Sequence, residues 1–276
     1  MTLKKQATGY AYLEMAPALV PKIILVVSPC RSGSTILLRV FGASGVESYF
    51  QPMKNALRWS LMGNNRPWSI PSNSSSRIMV KETLGPYVDA ECLFNPLPVL
   101  LDAGFPPEKL HVVILGREPL KTWASWNRYW SDRVPVANMI MAFRTANKIL
   151  EQAKTLGITS TCLVYDLFKD YSPEIVFKNV FKRLGLEYSP LAIQGWEALP
   201  NFGQPGSHIV LADEPERFVT PGIHDKVNSA KQFTYADSDP VLASLKPSDL
   251  EAIAQSDLAV IYKSWLEESI ADLQLN

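Results

Sequence analysis

The chain is short of the residues from which metal centres, disulfide frameworks and membrane spans are built. Its 276 residues include only three cysteines, Cys30, Cys92 and Cys162, and three scattered histidines. A sparse, odd set of cysteines without metal-ligand spacing argues against a disulfide scaffold and predicts no metal. It suits a reducing compartment. Net charge is lacking too: 27 Lys+Arg balance 27 Asp+Glu. That balance gives no global attraction to nucleic acid. No apolar run approaches the ~20 residues of a membrane span. The N-terminal stretch MTLKKQATGYAYLEMAPALVP has no uninterrupted apolar core of signal-peptide length. The expectation is a cytoplasmic protein with no membrane or nucleic-acid partner. In that setting the sequon-like Asn73-Ser74-Ser75 has no glycan to carry.

What is present is ample apolar material, 47% of residues, against 20% charged. That suffices for one large α/β core. No internal repeat or linker divides the chain, so residues 1–276 read as one domain, with 1–21 as an N-terminal arm. The organising stretch is Lys22 to Phe41, KIILVVSPCRSGSTILLRVF. Ile23 to Pro29 is mostly β-branched and apolar, the signature of a buried parallel strand. The helical pattern Ile36, Leu37, Val40, Phe41 follows after a tight loop. Backbone N–H groups at a helix start are unpaired and carry partial positive charge. Strand, small-residue turn and helix start together make an anion cradle. Ser32, Ser34 and Thr35 add hydroxyl donors, Gly33 allows the turn, and Arg31 adds a forked cation.

The loop is not a nucleotide-triphosphatase loop, because no Lys follows Gly33. It is not a dinucleotide loop, which needs three glycines. A cysteine phosphatase would place Arg six residues after Cys30, where Ile36 stands. Arg31-Ser32-Gly33-Ser34-Thr35, with Cys30 inserted after Pro29, resembles the 5′-phosphosulfate loop of the sulfotransferase family. The resemblance covers about residues 22–265 in the family's order. A second buried strand, His111 to Leu115, ends near Arg117, and Ser125 stands eight residues further on. This is similar to the family's 3′-phosphate site, where an Arg fork grips a dianion and a helical Ser donates to it. Tyr165-Asp166-Leu167 resembles the family's adenine-side motif, and Leu184-Gly185-Leu186 a familiar helix ending. Lys226, Asn228 and Ser229 fall where family members close the cofactor site.

The resemblance implies a P-loop-like α/β fold, a central parallel sheet flanked by helices. It implies 3′-phosphoadenosine 5′-phosphosulfate (PAPS) as donor and 3′,5′-adenosine bisphosphate (PAP) as product, without a metal. The acceptor oxygen or nitrogen would belong to a small molecule such as a natural product. The membrane-bound Golgi enzymes are the wrong comparison. A homodimer, an atypical P-loop kinase and a non-catalytic nucleotide-binding protein stay open.

The general base is unsettled. Where the family often has Glu-Pro, this chain has Gln51-Pro52, and Gln cannot take a proton. Glu47 lies nearest that position. Lys81 and Glu82 read as the charged exit of a strand Arg77–Glu82, Lys81 to stabilise the transferring oxygens and Glu82 as a base held ionised beside it. Both reach one site only if the strand has already ended, because adjacent strand residues face opposite ways. His111 is a further candidate. The aromatics Trp123, Trp126, Tyr129 and Trp130 read as core. Residues 200–231 read as a lid and cofactor-closing loop. Pro247 to about Asp272 reads as one final helix.

Overall fold

The computed structural model describes residues 7–72, 74–131, 133–236 and 245–275. The first six residues of the arm and Asn73 of the sequon-like triplet lie outside them. The described part of the arm is a small hairpin, β1 (Ala7–Thr8) and β2 (Ala11–Tyr12). Backbone bonds from Tyr12 to Trp68 and from Trp68 to Tyr10, each 2.9 Å, tie it to the body.

The body alternates strands and helices. In order they are β3 (Lys22–Pro29), α1 (Ser34–Ala43), β4 (Glu47–Phe50), α2 (Pro52–Leu61) and β5 (Arg77–Leu84). Next come α3 (Asp89–Cys92), α4 (Pro96–Asp102), β6 (Leu110–Gly116), α5 (Pro119–Trp130) and α6 (Val136–Thr155). The chain continues with β7 (Thr159–Val164), α7 (Pro173–Arg183), β8 (Ile209–Leu211), α8 (Asp225–Asn228), α9 (Pro247–Ala254) and α10 (Leu258–Asp272). Six strands form one all-parallel sheet in the order β7-β6-β3-β5-β4-β8. Helices flank it, α1 against β4 and β5, and α6 against β3 and β6. This is the α/β architecture the sequence predicts.

β3 lies in the middle of the sheet because its side chains are apolar on both faces. Ile23, Leu25, Val26 and Val27 are fully buried. Burial of each contributes about 1.5–3 kcal/mol. All strands being parallel, their carboxyl ends share one rim of the sheet, and the loops that follow them build the site there.

Three elements differ from the sequence reading. β5 does not stop at Glu82: it pairs with β3 through Ser28↔Thr83 and Pro29↔Leu84. Backbone pairing outlasts the two charges, both of which are buried inside the strand. The long loop after residue 200 contains β8, paired in parallel with β4 through Ser48↔Ile209. Ile209 packs so closely on Gly42 of α1 that a Cβ there would lie 2.6 Å from it. The final helix is two helices. The Ser256 hydroxyl donates to the Ile253 carbonyl at 2.6 Å and accepts from the Leu258 N–H at 3.3 Å. That side chain competes with the helical backbone and separates α9 from α10.

Candidate active site

The anion loop is shaped by two left-handed residues, Arg31 at φ 69° and Gly33 at φ 92°. For an arginine this conformation is uncommon, and such outliers gather at functional loops. Gly33 has no alternative, since a Cβ there would lie 2.6 Å from the Tyr165 ring. The loop is pinned from outside: the Trp126 indole N–H donates to the Cys30 carbonyl at 2.6 Å. The N-cap of α1 is Gly33, which has no side chain to offer the first N–H groups of the helix, and such groups suit an anion. The Ser32 hydroxyl is buried with no hydrogen-bond partner among the described residues. Buried polar atoms normally have partners. An orphan hydroxyl inside an anion cradle fits a ligand oxygen.

Arg31, Arg117 and Ser125 converge. The Arg31 Nε–H donates to Ser125 Oγ at 3.0 Å, and its guanidinium lies 4.5 Å from the Tyr129 ring centre. Arg117, directly after β6, donates to the Arg31 carbonyl and to the Ala236 carbonyl, both at 3.4 Å. Its guanidinium stands 5.3 Å from the Tyr165 ring centre. Tyr165 directly follows β7, which ends at Val164, and opens a 3-10 turn over Tyr165–Lys169. Burial pushes the Arg31 pKa below its ordinary value.

Two cavities meet at this loop. The larger, about 1160 Å³ and open to solvent, is bordered by Arg31, Gly33, Ser34, Arg117, Tyr165 and Lys226. The smaller, about 490 Å³, lies over the carboxyl ends of β4 and β5 and is bordered by Gln51, Lys54, Lys81 and Thr83. Arg31, Ser34, Thr35 and His224 border both. Asn228 and Ser229 line neither. The Ser229 hydroxyl, in the turn after α8, donates to the Asp225 carbonyl at 2.7 Å.

Lys81 extends from β5 toward α1. Its ammonium donates to Thr35 Oγ1 at 3.4 Å and lies 3.8 Å from the Phe50 ring centre. Burial pushes its pKa down to about 7. Glu82, the next residue, takes the other side of the strand. Its carboxylate accepts from the Met53 N–H at 2.8 Å and the Lys54 N–H at 3.1 Å. It therefore caps the start of α2, and burial pushes its pKa up to about 7. The expectation that Glu82 serves as a base is corrected on this geometry. Glu47 is corrected as well. It begins β4, three residues before Phe50 pairs with Lys81, so it sits toward the opposite rim of the sheet. It accepts from the Ser75 N–H at 2.8 Å and from the Tyr49 hydroxyl. Burial pushes its pKa up, but these bonds outweigh it and hold the carboxylate below its ordinary range. His111, at the amino end of β6, is bonded through Nε2 to Thr161 at 2.8 Å.

Sequence reasoning missed the floor and one wall of the smaller cavity. Lys54 is fully buried; it donates to Thr83 Oγ1 at 3.2 Å and to the Gly85 carbonyl. Arg58, one turn further, pairs with the buried Glu91 at 2.6 Å and with Glu214. Their signal was legible: two cations spaced i,i+4 on the face of α2 that also buries Met53 and Leu57. Gln51 accepts from the Thr83 hydroxyl. Tyr87, Trp130 and Phe218 form an aromatic wall. Trp130 donates to Thr220 Oγ1 at 3.2 Å, and the Tyr87 hydroxyl bonds the same oxygen.

No protein-family model matches the chain. No curated protein matches it either. Among solved structures it is similar to the sulfotransferase domain from the Synechococcus PCC 7002 olefin synthase. The two are 18% identical, with 86% of this chain and 96% of that chain covered and a TM-score of 0.41. Among the described residues, no helix is long and apolar enough to cross a membrane.

Proposed function

We propose that this chain transfers a sulfuryl group from PAPS to a hydroxyl of a small-molecule acceptor. The observation that carries this reading is the meeting of two cavities at one anion loop, with Arg31, Ser34 and Thr35 in both. The larger cavity suits a nucleotide with two phosphate positions: the loop and α1 start serve one, Arg117 and Ser125 the other. The smaller cavity suits the acceptor.

The donor fits the residues present. Loop N–H groups, Ser32 and Arg31 would hold the 5′-phosphosulfate, and Arg117 the 3′-phosphate. Bound there, the donor supplies the sulfuryl group, and PAP is left as the product. Charge growing on the leaving phosphate oxygen is met by preorganised donors at the helix start and by Arg31. Lys81, whose ammonium lies 3.4 Å from Thr35 Oγ1, would hold the sulfuryl oxygens. Transfer between two oxygens needs position and electrostatics more than covalent help from the protein. The acceptor cavity carries Lys54, Arg58 and Lys81 against one lining carboxylate, Glu214, which pairs with Arg58. These cations disfavour a charged amine or guanidine and favour an alcohol or phenol.

The test is calorimetric titration with PAP and, separately, with ATP and magnesium. Tight PAP binding with weak ATP binding is the expected result. An equal preference for ATP with magnesium overturns the reading and promotes a phosphotransferase.

A further inference from the structure

The proposed reaction needs a group to take the acceptor's proton, and the usual position holds Gln51. The carboxylates the sequence offered are committed elsewhere, Glu82 as a helix cap and Glu47 toward the opposite rim. One ring remains at the right place. His224 lies just before α8 and borders both cavities, beside Arg31, Ser34 and Thr35. It packs edge-on against Phe50, with ring centres 5.0 Å apart, and Lys81 rests on that same phenyl ring. Its Nδ1 is buried without a hydrogen-bond partner among the described residues. A structural histidine ordinarily has such a partner, as His111 does in Thr161.

We propose that His224 is the general base: an imidazole nitrogen takes the proton of the acceptor hydroxyl as that oxygen bonds to sulfur. The electrons of the breaking S–O bond leave with the 5′-phosphate oxygen, forming PAP. The proton stays on His224 until solvent removes it. The assignment rests on the sulfuryl-transfer reading above.

The surroundings make the base dependent on the donor. The charged groups facing His224 are Lys81 from β5 and Arg31 from the anion loop. Burial first, then these two cations, push its pKa down to about 3. In that state the ring is neutral but a poor proton acceptor. A polyanionic donor bound beside Arg31 and Lys81 offsets the part of the depression that these cations cause and raises the ring's basicity, while the larger part, due to burial, stays. General bases work best with a pKa near the operating pH. His224 is therefore a stronger base with the donor in place than without it.

NMR titration of the histidine rings, with and without saturating PAP, tests this directly. The chain has three histidines, and the signal lost in His224→Asn identifies the ring. The expected result is an upward pKa shift of about one unit or more on PAP binding, with His111 and His208 unmoved. A His224 ring that PAP leaves unmoved overturns the proposal. The second measurement follows PAP formation from PAPS with water as the only acceptor. A positioned base contributes roughly 10²–10⁴ in rate, so His224→Asn slows PAP formation by about 100-fold, with PAP affinity within about threefold of wild type. An unchanged rate overturns the proposal, and so does a loss of PAP affinity equal to the loss of rate. A wild type that fails to bind PAP overturns the sulfuryl-transfer reading itself, and this assignment with it.

Discussion

Arg31 and Ser125, 94 positions apart in the chain, are joined by a hydrogen bond of 3.0 Å from the guanidinium Nε–H to the hydroxyl. Arg117 reaches the carbonyl of the same arginine. The two proposed phosphate subsites are thus mechanically one unit with Arg31 at its centre. Arg117→Ala removes a forked, charge-assisted contact worth about 1.5–3 kcal/mol. Calorimetry should show PAP affinity falling by roughly 10- to 150-fold. Ser125→Ala removes a neutral partner worth about 0.5–1.5 kcal/mol and should weaken PAP binding by roughly 2- to 13-fold. The reverse order would place the 3′-phosphate elsewhere.

Gly33 tolerates no side chain. Alanine there meets the Tyr165 ring at 2.6 Å and requires a left-handed backbone. Either the loop or the ring shifts, and both border the donor cavity. Gly33→Ala should abolish measurable PAP binding and lower Tm. Thermal unfolding in the presence and absence of PAP reads both effects, and wild-type stabilisation by PAP in the variant would contradict the cradle.

The pH dependence should be set by Lys81. Its ammonium, pushed down to about 7 chiefly by burial, loses its charge as pH rises through that value. The free enzyme's groups appear in kcat/KM, so kcat/KM for PAPS should fall on the alkaline side of about 7. Lys81→Met should be slower and lack that limb. Stability moves the other way. From about 7 up to the ordinary 10.5, the unfolded chain binds the lysine proton and the folded chain does not. Stability therefore rises with pH across that window. Urea unfolding of wild type and Lys81→Met from pH 7 to 10 checks the slope, which the variant should lose.

The two carboxylates should separate by phenotype. Glu82→Ala removes the cap of α2, which costs about 0.5–2 kcal/mol in stability, and should lower Tm. Glu47→Gln lies away from both cavities and should leave PAP formation unchanged. A large rate loss in Glu47→Gln at unchanged Tm would restore it as a base.

The sequence spoke most clearly where one local signal sufficed. β3, its turn and α1 follow from an apolar run, a glycine and a helical repeat, all within twenty residues. Arg117 was singled out through the family resemblance, as a strand-end arginine with Ser125 eight positions on, because an arginine after a strand has by itself no particular reading. Glu82 misled because a charged pair looks like a strand exit, whereas β3 carries the pairing on to Leu84. Lys54 and Arg58 carry the i,i+4 signal in the sequence, but not what it faces. Their buried partner Glu91 lies on α3, more than thirty positions away. His224 had no local signal at all. Its meaning comes from Phe50, Lys81 and Arg31, which only the folded sheet brings beside it.

β8 has three residues, and one wall of the smaller cavity hangs from it. Glu214, Phe218, Thr220 and His224 all follow within fifteen positions, while two of its three strand residues, Val210 and Leu211, are exposed. An edge so short opens at a free energy well below that of the whole molecule. Its backbone amides should therefore exchange with deuterium long before those of β3. On the proposed function, the protein would then spend part of its time with a complete donor pocket and a dismantled acceptor pocket, and the lifetime of that wall would set how long an acceptor stays.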